Sequence, residues 1–231
     1  MFFPFYDSTY ILVLIGVIVS MMASAKLNAT YQRYSAVRSM CGLTGAEAAK
    51  RLLNSQGIYD VTIRRVPGSL TDHYDPRSKT VNLSDAVYGS TSIAAIGVAA
   101  HECGHAMQDA ADYSPLRIRA ALVPAASLCS QLAWPLILVG LLLGSGGSGL
   151  AFAGIVLFSL AVLFQLVTLP VEYNASHRAV TLLDSTGILA GQEVGQTRSV
   201  LNAAAITYVA AAAASILQLL RLLMLFNRRR D

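Results

Sequence analysis

Charge and cysteine are both scarce in this sequence. Asp, Glu, Lys and Arg make up 13% of its 231 residues, whereas soluble domains carry about 25% charged residues. The 55% content of hydrophobic residues excludes an intrinsically disordered chain. Three cysteines (Cys41, Cys103 and Cys129) lack the spacing of a metal or disulfide framework, which excludes a disulfide scaffold and predicts free thiols. The composition indicates a membrane protein, for which we expect no nucleic-acid partner.

Three long runs without a formal charge predict the membrane-spanning segments. They cover residues 8–25, 120–171 and 199–220. About 20 apolar residues cross a bilayer as a helix, so the middle run is long enough for two crossings. A Gly/Ser turn at 144–149 lies near the centre of that run. We therefore predict four transmembrane helices, at about 8–25, 121–143, 150–171 and 200–220.

A cleaved signal peptide is the alternative for the first run, because Ala23, Ser24 and Ala25 resemble a cleavage site. A signal peptide begins with a basic region, however, and no Lys or Arg precedes Lys26. The basic residues follow the segment instead, which favours a retained membrane helix.

The remaining residues form a soluble region on one side of the membrane. Residues 26–119 and 172–198 are separated by two crossings, so both lie on the same side. We expect them to be the catalytic region of a single integral-membrane domain, residues 1–231. Seven basic residues close to this side make it the cytoplasm by the positive-inside rule: Lys26, Arg33, Arg38, Arg117, Arg119, Arg178 and Arg198. The tail opposes this assignment, because four crossings place its arginines outside (Arg221, Arg228, Arg229 and Arg230).

Local signals predict an α+β fold for the soluble region. A capping box formed by Thr44 and Glu47 opens a first helix. Alternating apolar residues at 61–66 predict a strand, and residues 70–83 predict a hairpin around a proline-containing turn. A long apolar helix follows at about residues 92–108. This order of helix, strands and helix is typical of α+β proteins.

The long helix, capped by Ser90 or Thr91, contains the motif H-E-x-x-H at His101, Glu102 and His105. Histidines four residues apart lie about 40° apart around a helix and can chelate one ion, and imidazole suits Zn²⁺. Glu102 lies about 100° from His101, which suits a general base acting on a water better than a third ligand. The motif predicts a catalytic site with one zinc ion per chain. A pair of hydrogen-bonded helix histidines, the alternative, explains neither the glutamate nor the apolar run before it.

A catalytic zinc site needs a third protein ligand and an open position. The candidates in the soluble region are Glu172, Asp184, Glu193, His177 and His73. Glu172 is favoured because it directly follows a membrane segment, in the first turn of a helix opened by Pro170. Charge complementarity at that helix N-terminus is its alternative role, and Asp184 is the next candidate for the ligand.

Three stretches of the sequence resemble the YugP-type zinc membrane peptidases. They are SLTDHYDPR at 69–77, AHECGHAMQ at 100–108 and LPVEYNAS at 169–176. These peptidases are similar to gluzincins of the HtpX and CAAX-prenyl-protease type, whose third zinc ligand is the Glu of an E-[FY]-x-A-D motif. The resemblance, which spans about residues 40–215, implies a mostly α membrane protein with a zincin-like catalytic region and Glu172 as that ligand. The sequence departs from this motif at Ser176, where the motif has Asp. Ser176 lies four residues after Glu172 and shares its helix face, so its hydroxyl could supply a weaker hydrogen bond to the site.

Four further residues are candidates for contacts with the substrate. His177 and Arg178 lie about one and a half turns past Glu172 and could stabilise an oxyanion. Exposure to solvent is the alternative for His177, and anchoring at the membrane surface is the alternative for Arg178. His73 and Tyr74 lie in the hairpin, whose edge strand could pair with an extended substrate; a purely structural hairpin is the alternative.

The predicted function is a zinc-dependent membrane endopeptidase that cleaves membrane or membrane-adjacent proteins. Its expected partners are a protein or peptide substrate and the lipid bilayer. A proteolytically silent zinc-binding scaffold is the alternative, but a structural zinc site gains nothing from Glu102. A transporter is disfavoured, because the predicted membrane segments hold no ionisable residue besides Cys129 and tyrosines.

Overall fold

The structure is a computed structural model and describes residues 8–228. Over this range the chain forms seven α-helices, three β-strands and one short 3-10 helix. In chain order the elements are α1 (Tyr10–Ser35), α2 (Gly45–Ser55), β1 (Thr62–Val66), β2 (His73–Asp75), β3 (Thr80–Ser84), α3 (Asp85–Tyr88), α4 (Ile93–Ala110), α5 (Ser114–Leu142), the 3-10 helix (Gly144–Gly147), α6 (Ser148–Ser185) and α7 (Gln192–Asn227).

Four of the described helices, α1, α5, α6 and α7, are long and apolar enough to cross a membrane. They confirm the prediction of a mostly α membrane protein with four spans. The Gly/Ser turn is present as the 3-10 helix between α5 and α6. At 1.5 Å per residue, α6 is about 57 Å long, roughly twice the hydrocarbon thickness of a bilayer. A single helix therefore has the length to cross a membrane and to carry Glu172 beyond it.

Pro170 lies inside α6 and does not open a new helix. The prediction of a helix N-terminus at Glu172 is therefore wrong, and so is the alternative role of Glu172 as a charge at that terminus. Proline removes one helical hydrogen bond, but a long helix tolerates it where neighbouring groups bind the backbone.

The chain divides into two compact units. The first unit comprises the described residues within Met1–Ser24, Ile118–Leu169 and Thr207–Asp231. The second unit comprises Ala25–Arg117 and Pro170–Ile206. It contains α2, the three strands, α3 and α4, together with the C-terminal part of α6. All the candidate site residues belong to this second unit.

The three strands form a small mixed sheet in the order β1-β3-β2. β1 runs parallel to β3, and β2 runs antiparallel to it with Tyr74 opposite Val81. The β2–β3 pair is the hairpin that the sequence predicts. Its turn is closed by the Asp75 carboxylate, which accepts from the Arg77 backbone N–H at 3.0 Å and from the Ser78 hydroxyl at 2.6 Å. The central strand β3 is buried, which leaves β2 as an edge strand of this sheet.

The caps of α2 and α4 show where each helix begins. The predicted capping box is present: the Glu47 N–H donates to Thr44 Oγ1, and the Thr44 N–H donates to the Glu47 carboxylate. The cap of α4 is Ser92, which accepts from the N–H of Ala95 at 3.2 Å. The predicted cap at Ser90 or Thr91 is therefore wrong by one or two residues. Ser90, Thr91 and Ser92 are consecutive and each can cap a helix, so the sequence does not distinguish between them.

Helix α4 packs into the core of the second unit along one face. Leu52 and Leu53 of α2, Ile96 and Cys103 of α4, and Leu183 of α6 are all buried in one hydrophobic cluster. Burial raises the pKa of the Cys103 thiol, and the nearby charge of Glu102 raises it further. Cys103 is therefore a neutral core thiol, and all three cysteines are free, as predicted. The face of α4 that carries the histidines is left for other contacts.

Candidate metal centre

The two histidines of the motif meet a glutamate from another helix. His101 and His105 project from α4 with their ring centroids 4.8 Å apart. The Glu172 Oε2, from α6, lies 3.3 Å from His101 Nε2 and 3.6 Å from His105 Nε2. Within residues 8–228, this is the one group of three His, Cys, Asp or Glu side chains whose ligand atoms all lie close enough to share a metal ion, within 4.8 Å of one another.

These distances fit a zinc ion. Bonds of about 2.1 Å from zinc to nitrogen or oxygen, at a tetrahedral angle, separate two ligand atoms by about 3.4 Å. The two distances from Glu172 Oε2, 3.3 Å and 3.6 Å, lie on either side of this value. Two imidazoles and one carboxylate are also a donor set of catalytic zinc sites, which keep a fourth position open. The residues present therefore suit the metal that the sequence predicts.

The centre is buried and electrostatically suited to a cation. Glu172 is 2% exposed, and both His105 and Glu102 are buried. Burial by itself lowers the pKa of His105, but the hydrogen bond to Glu172 and the charges of Glu102 and Glu172 outweigh it and raise that pKa above its usual value. Buried carboxylates need a positive partner. The arrangement thus favours a positive charge beside these groups.

Gly104 allows the two helices to come this close. It precedes His105 on α4, and a β-carbon at this position would collide with the carbonyl oxygen of Ala175 on α6. A larger residue would force the two backbones apart and separate Glu172 from the histidines. Glycine is therefore the residue that this backbone contact requires.

Each histidine is also held at its other ring nitrogen. His101 Nδ1 lies 3.1 Å from the Ser176 hydroxyl, a hydrogen bond of the kind expected from the position of Ser176 on the face of Glu172. His105 Nδ1 lies 3.0 Å from Gln108 Oε1. With each Nδ1 engaged, each Nε2 faces Glu172. Outer hydrogen bonds of this kind orient the histidine ligands of metal sites.

The candidates for catalysis differ in their surroundings. Glu102 is buried, and its charge acts on both His105 and Cys103. The Arg178 Nε donates to Asn174 Oδ1 at 2.8 Å, and its guanidinium carbon lies 5.9 Å from the centroid of the Tyr113 ring. His177 is exposed to solvent. The structure thus connects Arg178, through Asn174, to the surroundings of the centre, whereas His177 faces outward.

The other candidates for the third ligand lie outside the His–Glu group. Asp184 is exposed on α6. Glu193 is buried and accepts the backbone N–H of Met40 at 2.8 Å. The ring of His73 is held by the Thr71 carbonyl oxygen at 2.8 Å and the Asn82 amide at 3.1 Å. Glu172 is the member of the candidate set that lies beside both histidines.

Tyr74 anchors the hairpin to the helix of the motif. Its hydroxyl donates to Asp109 Oδ2 of α4 at 2.8 Å. Burial raises the pKa of this hydroxyl, and the hydrogen bond and charge of Asp109 raise it further, so Tyr74 stays neutral. The neighbouring His73 is exposed on the edge strand β2. The hairpin is thus fixed beside α4 by its tyrosine.

Two side chains beside the histidines, Gln108 and Asn174, are not among the residues that the sequence predicts for the site. The Gln108 Nε2 donates to Asn174 Oδ1 at 3.0 Å, which joins α4 to α6 beside the histidines. Gln108 lies three residues after His105 and so shares its helix face, and this spacing is a signal that could have identified it. Asn174 carries no comparable signal, because its contact depends on how closely the two helices approach.

Comparison with known proteins places this arrangement in a family. The family model described as "Putative neutral zinc metallopeptidase" matches residues 9–227. "Putative membrane protease YugP" of Bacillus subtilis (strain 168) is 47% identical over 213 residues, which cover 92% of this chain and 94% of that relative. No solved structure matches the chain. These matches confirm the resemblance seen in the sequence, and the chain belongs to this zinc metallopeptidase family.

Proposed function

We propose that the chain is a zinc-dependent, membrane-embedded endopeptidase that hydrolyses peptide bonds of membrane or membrane-adjacent proteins. The observation that carries the proposal is the group of His101, His105 and Glu172, whose ligand atoms lie within 4.8 Å of one another. Membership of a zinc metallopeptidase family supports the class of reaction, and the name of the relative supports its membrane setting. A peptidase takes a protein or peptide substrate, and the four apolar helices imply a lipid bilayer as surroundings.

In the proposed mechanism, His101, His105 and Glu172 hold one zinc ion per chain and Glu102 is the general base. A bound zinc ion supplies Lewis acidity, which lowers the pKa of a water and polarises the scissile carbonyl. The Glu102 carboxylate takes the proton of the attacking water and later gives it to the leaving amine. Ser176 and Gln108, at the outer nitrogens of the histidines, keep the two rings oriented.

Arg178 is the proposed source of oxyanion stabilisation. Its Nε donates to Asn174, and its guanidinium lies near the Tyr113 ring, so the side chain is held in place. The guanidinium has further N–H groups that can donate to a developing negative charge. His177 precedes Arg178 on α6 and is exposed to solvent, and it is the second candidate for this role.

The edge strand β2 is the proposed binding surface for the substrate. An extended peptide can add to the free edge of a sheet through backbone hydrogen bonds. β2 carries His73 and Tyr74, and Tyr74 is tied to α4 through Asp109. A peptide on this edge would therefore lie on a strand that is fixed to the helix of the motif.

Metal analysis and chelation test the proposed function. Purified protein is expected to hold about one zinc ion per chain, because a site with three protein ligands binds zinc tightly. It should cleave casein, lose that activity in a chelator and regain it when zinc is added back. Protein that holds zinc but leaves casein and detergent-solubilised membrane proteins intact would favour the zinc-binding scaffold, and protein without zinc would contradict both functions.

We also propose that the second unit lies in the cytoplasm. The chain is a multi-pass membrane protein by its four apolar helices and its relative, and the basic residues that favour the cytoplasm flank the second unit. The guanidinium carbon of Arg221, on α7, lies 4.0 Å from the centroid of the Tyr10 ring. Tyr10 is the first residue of α1, and Lys26 lies 16 residues further along the same helix. The tail residues Arg229 and Arg230 lie outside the described residues.

Reporter fusions test this sidedness. A cytoplasmic reporter inserted in the exposed turn at Arg77 is expected to be active, and one at the C-terminus inactive, because three of the four crossings (α5, α6 and α7) separate this turn from the C-terminus. A periplasmic or extracellular reporter should give the reverse pattern at both positions. An external signal from the turn would overturn the assignment.

A further inference from the structure

Gln108 links His105 to the helix that carries Glu172. The Gln108 side chain is fully buried, at 0% exposed. Its Oε1 lies 3.0 Å from His105 Nδ1, and its Nε2 lies 2.8 Å from the Val171 carbonyl oxygen and 3.0 Å from Asn174 Oδ1. One of these three contacts is on α4 and two are on α6. The amide therefore uses both of its ends across the interface between the two helices.

Two groups in this network have one possible hydrogen-bonding role each, and they determine the orientation of both amides. A backbone carbonyl only accepts, so the Gln108 atom beside Val171 must be the amide nitrogen. The Nε of Arg178 only donates, so the Asn174 atom that faces it must be the amide oxygen. Turning the Gln108 amide around would set its oxygen against two other oxygens. The Gln108 oxygen therefore faces His105.

The orientation of Gln108 determines the tautomer of His105. An amide oxygen carries no proton, so His105 Nδ1 must hold the hydrogen and donate it. In the neutral ring, Nε2 then carries the lone pair, and this is the nitrogen that lies 3.6 Å from Glu172 Oε2. A neutral imidazole binds a metal through such a lone pair.

We propose that Gln108, held in turn by Asn174 and Arg178, is a positioning residue that keeps His105 in the tautomer and ring orientation required to bind zinc. The inference rests on the proposed function in one respect, that zinc is the ion held by His101, His105 and Glu172. It gives Arg178 a second role, since the guanidinium orients the Asn174 amide at the far end of the network. Loss of hydrogen bonds of this kind weakens metal binding by about 10- to 100-fold.

The zinc affinity of a Gln108→Met variant tests the proposal. Methionine is unbranched and fills a buried site of similar volume, but it cannot replace the amide hydrogen bonds. In the full-length protein, competition with a chromophoric chelator is expected to show a Kd for zinc about 10- to 100-fold higher than in the wild type. A Kd equal to that of the wild type would overturn the proposal.

The protonated nitrogen of His105 gives a second measurement, which a merely space-filling role of Gln108 would not affect. In zinc-loaded wild-type protein with isotope-labelled histidine, the Nδ1–H signal of His105 should be protected from exchange with water. In Gln108→Met it should exchange rapidly. The chain has four histidines, so single replacements assign the signals. A weakened affinity with a signal still protected would mean that Gln108 only ties the helices together, and would contradict the proposal.

Asn174 provides a matched pair of variants. Asn174→Asp keeps an oxygen for both Gln108 and Arg178 and should bind zinc nearly as tightly as the wild type. Asn174→Leu removes that oxygen and should bind zinc more weakly. Because Asn174 acts through Gln108, the double variant Gln108→Met, Asn174→Leu should be no weaker than Gln108→Met alone. Additive losses in the double variant would contradict the proposed network.

These measurements separate the positioning role from the peptidase activity, because zinc binding needs no substrate. A wild type that binds zinc but cleaves no peptide would refute the peptidase, whereas weak binding by Gln108→Met would still support the positioning role. The reverse result, wild-type affinity in an otherwise normal Gln108→Met enzyme, would refute the positioning role alone. A wild type without measurable zinc affinity would overturn both.

Discussion

Glu172→Ala protein is expected to be purified without zinc and without peptidase activity. The substitution removes the one carboxylate beside both histidines and leaves two imidazoles, one fewer ligand than a catalytic zinc site uses. Removing one partner from a buried charged group costs about 3 kcal/mol or more, so the zinc affinity should fall by at least roughly 100-fold. Metal analysis after dialysis and a chelator competition measure this loss.

Asp184→Ala is the matched control for Glu172→Ala. Asp184 is an exposed carboxylate on the same helix and is the next candidate from the sequence for the third ligand. Its replacement should leave zinc content, zinc affinity and casein cleavage unchanged. If Glu172→Ala kept wild-type zinc while Asp184→Ala lost it, the proposed ligand set would be wrong. Thermal unfolding of both variants in a chelator shows whether the fold is retained without zinc.

Glu102→Gln protein is expected to hold zinc like the wild type but to lose nearly all peptidase activity. Glutamine has the same shape as glutamate, but its amide cannot take the proton of the attacking water. General acid–base catalysis contributes about 10²- to 10⁴-fold to a rate, so kcat should fall by a factor in that range. KM should change little, because Glu102 is not proposed to bind the substrate. Steady-state cleavage of a fluorogenic peptide measures both constants.

Asp184→Asn makes the same chemical change at an exposed site and is the control for Glu102→Gln. It should retain both zinc and full activity. A Glu102→Gln protein as active as the wild type would show that Glu102 is not the base. Loss of zinc from Glu102→Gln would instead indicate a structural or ligand role for this residue. Together, the Glu172 and Glu102 variants separate the loss of the metal from the loss of the base.

The membrane helices and the helix of the motif could be predicted because their signals are local. A long run of uncharged, apolar residues predicts a membrane-spanning helix independently of the fold of the other segments. Two histidines four residues apart share a helix face wherever that helix packs. The capping box of α2 and the β2–β3 hairpin also follow from neighbouring residues, and the structure confirms both.

One of the sequence arguments for Glu172 differs from the structure. The sequence predicts a helix that begins at Pro170, because proline is common at the first position of a helix. In the structure α6 passes through Pro170 without a break, and Glu172 is reached from a helix that starts at Ser148. Whether proline opens a helix or lies within one depends on what surrounds the backbone, which the local sequence does not specify.

By itself, the sequence determined the class of the protein, the number of its apolar spans and the residues from which a metal site could be built. Only the tertiary structure decided which of those residues meet. Gln108 and Asn174 are 66 positions apart, and their hydrogen bond exists because Gly104 lets α4 approach Ala175 of α6. The spacing of apolar residues along a helix predicts which of its faces is buried, but it does not predict which other helix packs against that face. The selection of Glu172 over Glu193, which binds the Met40 backbone instead, depends on packing between helices for the same reason.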